Sequence, residues 1–82
     1  MNKTLNERVT VSEVAHAIAK DWQNISPYAK DYLEAMKDIQ DINGSYYADS
    51  AKSVVMYFLA NASSYRGDNA RAYKALLKDM VK

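Results

Sequence analysis

His16 is the chain's one histidine and the first place to look for chemistry. Catalytic use would need an orienting carboxylate and a nucleophile close by, and a zinc site would need further ligands. Its one-turn neighbours, Glu13 and Lys20, make an ordinary charged surface. On a helical wheel His16 falls about 140° from the apolar stripe of its segment, on the solvent side. The carboxylates Asp31, Glu34, Asp38 and Asp41 share a polar face with Lys30 and Lys37. A general acid, a base or a two-metal site would need some of them desolvated, which this face does not offer. Gly44 and Gly67 stand alone and form no phosphate-cradling loop. Arg66-Gly67-Asp68 spells a cell-adhesion tripeptide, but a helix stop followed by a helix cap explains the same three residues. The expectation is therefore no catalytic residue, no cofactor, no metal ligand and no enzyme.

Composition narrows the field further. The chain has 82 residues, 11 basic against 10 acidic side chains, 49% apolar residues and no cysteine. A disordered tail would be poorer in apolar residues and richer in net charge. A disulfide mini-protein and a cysteine-based zinc module both need cysteine. A histone-like binder would need a large basic excess, and a nucleic-acid mimic a large acidic one. A chain this short buries roughly 60–65% of its unfolded surface, which leaves little room for an enclosed substrate pocket. No apolar run approaches the ~20 residues of a membrane span. Met1 to Arg8 lacks the apolar stretch of a signal peptide. These features lead to the expectation of one small cytoplasmic domain, with no membrane and no small-molecule substrate.

Apolar periodicity predicts an all-α fold, a compact bundle of four short helices at about 11–23, 27–42, 46–64 and 69–81. Residues 1–9 would be a flexible N-terminal arm. Thr10 and Glu13 have capping-box spacing ahead of Val11, Val14, Ala15, Ile18 and Trp22. Ser26-Pro27 is a strong helix start, followed by Ala29, Tyr32, Leu33, Met36 and Ile39. Asn43-Gly44 is the expected stop. The third helix, capped by Ser45 or Asp49, carries Tyr47, Ala48, Ala51, Val54, Val55, Phe58, Leu59, Ala62 and Tyr65 on its core side. Gly67 ends it and Asp68 caps the fourth, whose stripe is Ala70, Tyr73, Leu76, Leu77, Met80 and Val81.

Two surfaces stand out from this frame. Opposite the core stripe of the third helix lie Tyr46, Ser53, Tyr57, Ala60 and Ser64, with Met56 beside them. Small residues admit a second helix, and tyrosine and methionine favour contact patches. Central packing inside the monomer is the competing explanation, and a homodimer through this helix is another. The chain uses 7 Tyr but only 1 Phe and 1 Trp, more tyrosine than a purely buried interior calls for. The fourth helix presents Arg71, Lys74, Lys78 and Lys82, with Arg66 before it; residues 66–82 hold five basic and two acidic residues, net +3. That strip could meet an acidic partner or a phosphate backbone. Helices 1 and 2 make a poor helix–turn–helix reader, because the first turns of helix 2 offer Tyr28, Lys30 and Asp31 rather than base-reading groups.

The run from Val54 to Lys74 joins an apolar helix to an aromatic-Arg-Gly turn, Tyr65-Arg66-Gly67, and then to Ala70-Arg71-Ala72-Tyr73-Lys74. This pattern resembles short, uncharacterised helical accessory proteins encoded by bacteriophages and prophages. The likeness covers about a quarter of the chain and carries no functional residue with it. It implies a phage or mobile-element accessory that inhibits or modulates a host protein, a defence nuclease among the candidates, in the manner of an anti-CRISPR.

The sequence thus leads to the expectation of a non-enzymatic protein-binding module acting by steric occlusion on a host protein in a bacterial cytoplasm. Its contact residues would be Tyr46, Met56, Tyr57, Tyr65, Arg66, Arg71 and Lys74. Tyrosines would supply area, and basic residues orientation and on-rate. The alternative is a small DNA-binding regulator using the basic face of helix 4.

Overall fold

The computed structural model describes residues 9–46 and 49–82, and its four helices form an all-α bundle. Helix α1 runs Val11–Asp21, α2 Pro27–Met36, α3 Ala51–Ala60 and α4 Asp68–Met80. Two two-residue strands, β1 (Ser45–Tyr46) and β2 (Asp49–Ser50), pair antiparallel just before α3. Helix α1 packs on α2 and α4, and α3 packs on the same two, most extensively on α2. The four helices therefore close a ring around one core. Its largest fully buried side chains include Phe58, Ile18, Leu33, Met36 and Leu77, one or more from every helix.

The helix starts follow local chemistry. The Glu13 N–H donates to Thr10 Oγ1 at 3.1 Å, and the Thr10 N–H donates to Glu13 Oε1 at 2.9 Å, completing the expected capping box. Ser26 Oγ accepts from the Tyr28 N–H, and Pro27 takes the first helical position. Gly67 precedes α4 at φ +117°, where a side chain would be strained, although a Cβ there would meet nothing within 4 Å. The glycine is required by the backbone, not by space. Asp68 is not the cap, as expected from sequence, but the first residue of α4.

The helix ends differ from expectation. The second helix stops at Met36 rather than near 42. The Ser12 N–H donates to Ile39 O at 2.9 Å, and Ser12 Oγ donates to Lys37 O. These carbonyls are thus spent on α1, and Ile39 turns inward to 4% exposure. Asn43-Gly44 instead closes a turn on Asp41, whose side chain accepts from the Asn43 N–H. The third helix runs 51–60 rather than 46–64. Ser50, not Ser45 or Asp49, caps it, accepting from the Ser53 N–H at 3.1 Å. At its other end the Asn61 amide donates to Tyr57 O at 2.8 Å, and the chain turns so that Ala62 and Tyr65 still reach the core. Tyr47 and Ala48 of the expected core stripe lie outside the described residues, as do residues 1–8 of the expected arm. Val9 packs against the core rather than belonging to an arm.

Candidate protein-contact surfaces

The residues singled out from the sequence fall into two groups with different environments. The first centres on Tyr65, in the turn between α3 and α4. Burial of Trp22 and Tyr65 folds this turn against the end of α1, and their rings stack with centroids 4.9 Å apart. Phe58 meets Trp22 edge-on. The Tyr65 hydroxyl donates to Asp21 Oδ2 at 2.7 Å, and the Asn69 amide donates to Asp21 Oδ1 at 3.0 Å. The Lys74 ammonium donates to Tyr65 O at 2.6 Å and sits 5.7 Å from the ring centroid.

This corner ties three segments together through one carboxylate. The hydrogen bonds from Asn69 and then Tyr65 hold the Asp21 carboxyl below its usual range, outweighing slight desolvation. Desolvation, followed by the Asp21 bond and charge, pushes the Tyr65 phenol up, so it remains a donor. Desolvation lowers the Lys74 ammonium, and the charges of Lys78 and Arg66 lower it further. Arg66 and Lys78 therefore share one positive region with Lys74. Arg71 pairs with Asp68, and Lys82 lies 3.7 Å from Asp79.

Tyr65 corrects the sequence expectation. At 2% exposure it has no side-chain surface to offer a partner. Its ring is needed to cover Trp22. Lys74 is likewise committed, through its hydrogen bond to the turn it spans. Arg66 and Arg71 are exposed.

The second group lies on α2 and α3. Among the described residues, the exposed large apolar side chains are Tyr28 at 77%, Met56 at 57% and Tyr57 at 49%. The Tyr57 ring meets Tyr32 of α2, with centroids 5.5 Å apart and planes tilted 39°. Tyr28 lies one turn before Tyr32 on the same side of α2, since side chains four apart are helical neighbours. Ser53 and Ala60, at helical spacing from Tyr57, keep the α3 side of this face low. Among the described residues, Met56, Tyr57 and Ala60 on the back of α3 are exposed, so this side of the helix is not packed centrally. Sequence reading found Met56 and Tyr57 but missed Tyr28 and Tyr32. Their spacing was visible, yet Tyr32 reads as core until the seam beside α3 is known. Tyr46 is in β1, and its side chain lies outside the described structure.

His16 is exposed and faces an open groove between α1 and α4, lined by Glu13, Ala17, Lys20, Asp21 and Tyr73. Among the described residues, no three His, Asp or Glu side chains gather as a metal site would require. No helix of the described chain is long and apolar enough to cross a membrane. No family model, curated protein or solved structure matches the chain.

Proposed function

We propose that this chain is a small protein-binding module that works by covering a surface of its target. The observation that carries this reading is the face formed by Tyr28, Tyr32 and Tyr57, with Met56 exposed farther round the back of α3. A domain of this size has few large apolar side chains, and three of them are turned outward on one helix pair. Tyrosine suits such a face because it supplies contact area and a hydroxyl with only two rotors to freeze. Scattered exposed apolar residues need no explanation, but rings that meet across a helix seam and stay partly in water invite one. The resemblance of residues 54–74 to phage accessory proteins supports a host protein as the target, held without chemistry.

The alternative, a DNA-binding regulator, draws on Arg66 and Lys78, which have no acidic partner among the described residues. It is the weaker reading. Arg71 and Lys82 already face aspartates one turn away, and Lys74 is bound to Tyr65 O. Few cations remain to release counterions from a phosphate backbone.

The test is capture from bacterial lysate with the tagged protein, with and without nuclease, followed by mass spectrometry. The expected result is a stoichiometric protein that survives nuclease and is lost with Tyr57→Ala. Recovery of nucleic acid, lost with Arg66→Ala and indifferent to Tyr57→Ala, overturns the reading in favour of DNA.

A further inference from the structure

We infer that the α2–α3 tyrosine face takes a cationic amphipathic helix of a partner protein; the inference rests on the binding-module reading and names the chemistry of its partner. Charge is sorted around α2. At about 100° per residue, Asp31 falls beside Tyr28 and Ala35, one turn away from each and on the outer border of the tyrosine row. Lys30 and Lys37 fall on the opposite border of the same helix. Lys37 is moreover paired with Glu34 at 2.9 Å. Asp31 is exposed and has no cationic partner among the described residues, and the same holds for Asp38 in the turn that follows. The tyrosine face is thus bordered by unpaired carboxylates and shielded from its own helix's lysines.

The α3 border is low and carries Lys52, one turn before Met56, so the carboxylates lie on the α2 side alone. Ser53 and Ala60 flank Tyr57 on α3, so a rod of helical diameter can lie along the seam with its apolar stripe on Tyr28, Tyr32 and Tyr57 and its basic edge toward α2. Lysines or arginines at the edge of that stripe would reach Asp31 and Asp38. An amphipathic helix laid in a groove with charges at its rim is an established mode of recognition. Electrostatic complementarity at the rim sets orientation and on-rate, while the rings carry the affinity. An anionic membrane or a nucleic acid is disfavoured here, because both would meet carboxylates.

The experiment uses the full chain and two labelled probes of about five turns, a Leu/Lys amphipathic peptide and its Leu/Glu counterpart. Fluorescence anisotropy reads binding, and circular dichroism confirms that each variant stays folded. The expected result is binding of the Leu/Lys peptide alone, weakened about tenfold by Asp31→Lys and by Tyr57→Ala separately. Loss with Tyr57→Ala but not with Asp31→Lys, or equal binding of the Leu/Glu peptide, overturns the cationic occupant and leaves the binding face standing. Indifference to Tyr57→Ala overturns both. Binding of neither peptide overturns this inference while the lysate result still judges the parent reading. A dimer mass in light scattering that Tyr57→Ala abolishes assigns the face to a second copy and overturns the inference.

Discussion

Tyr65 and Tyr57 are eight residues apart and share a chemistry, yet the fold uses them in opposite ways. Tyr65 is sealed against Trp22 and donates its hydroxyl to Asp21. Tyr57 is half exposed, and its ring meets at a tilt the ring of Tyr32, which is itself half buried. The first arrangement satisfies the polar atom inside the protein, so the ring can be buried at no hydrogen-bonding cost. The second leaves both ring and hydroxyl available to another molecule. The contrast teaches that tyrosine content alone does not mark a contact surface. What marks it is where the hydroxyls find partners.

Substitution should separate the two tyrosines. Tyr65→Ala should have the largest effect on folding. Truncating a buried aromatic costs about 3–5 kcal/mol, a large share of the stability of so small a domain. Thermal denaturation checks it, and a melting temperature near that of the parent would mean the corner is not a structural lock. Tyr65→Phe should fall between, since it keeps the stacking on Trp22 and loses only the bond to Asp21.

Asp21→Asn sharpens the comparison through pH. The folded carboxyl titrates below its unfolded value, so its contribution to stability is present above the unfolded pKa. That contribution is lost as pH falls through the depressed folded value. The melting-temperature gap between Asp21→Asn and the parent should therefore be open at neutral pH and close as pH drops below about 4. A gap that stays constant into acid would show that the carboxylate's charge does not hold the corner.

Tyr57→Ala should cost the free protein less than about 1 kcal/mol, because much of the ring is already in water. Its effect should appear in target capture instead. A drop in melting temperature as large as that of Tyr65→Ala would return Tyr57 to the core. The smallest effect is expected for Arg71→Ala. Its pair with Asp68 joins two exposed side chains one turn apart, and such pairs shift stability by about 0.5 kcal/mol or less. Denaturant titration would show a midpoint within error of the parent.

The sequence was most legible where chemistry is local. The Thr10–Glu13 box and the Ser26-Pro27 start each rest on residues within one turn of each other, and both are present. Burial was also legible, because the three-and-four spacing of Val54, Val55, Phe58, Ala62 and Tyr65 holds even where the helix has given way to a turn. The candidate site was half legible. Met56 and Tyr57 lie off the stripe of their own helix, which singles them out, but packing on both sides of the helix fits the same pattern until their exposure is seen.

What tertiary structure decided depends on groups far apart in the chain. Ser12 takes the carbonyls that would have prolonged α2, and no pattern within α2 announces it. Asp21 meets Tyr65 across 44 positions, which turns an apparent contact residue into a buried one. Tyr32 meets Tyr57 only because α2 and α3 are neighbours, and this pairing makes separate tyrosines one face. Helix starts and apolar stripes follow from forces within a few residues and are written in the sequence. Where a helix stops, and whether a tyrosine looks inward or outward, depends on which distant donor or acceptor arrives first, and packing alone settles that.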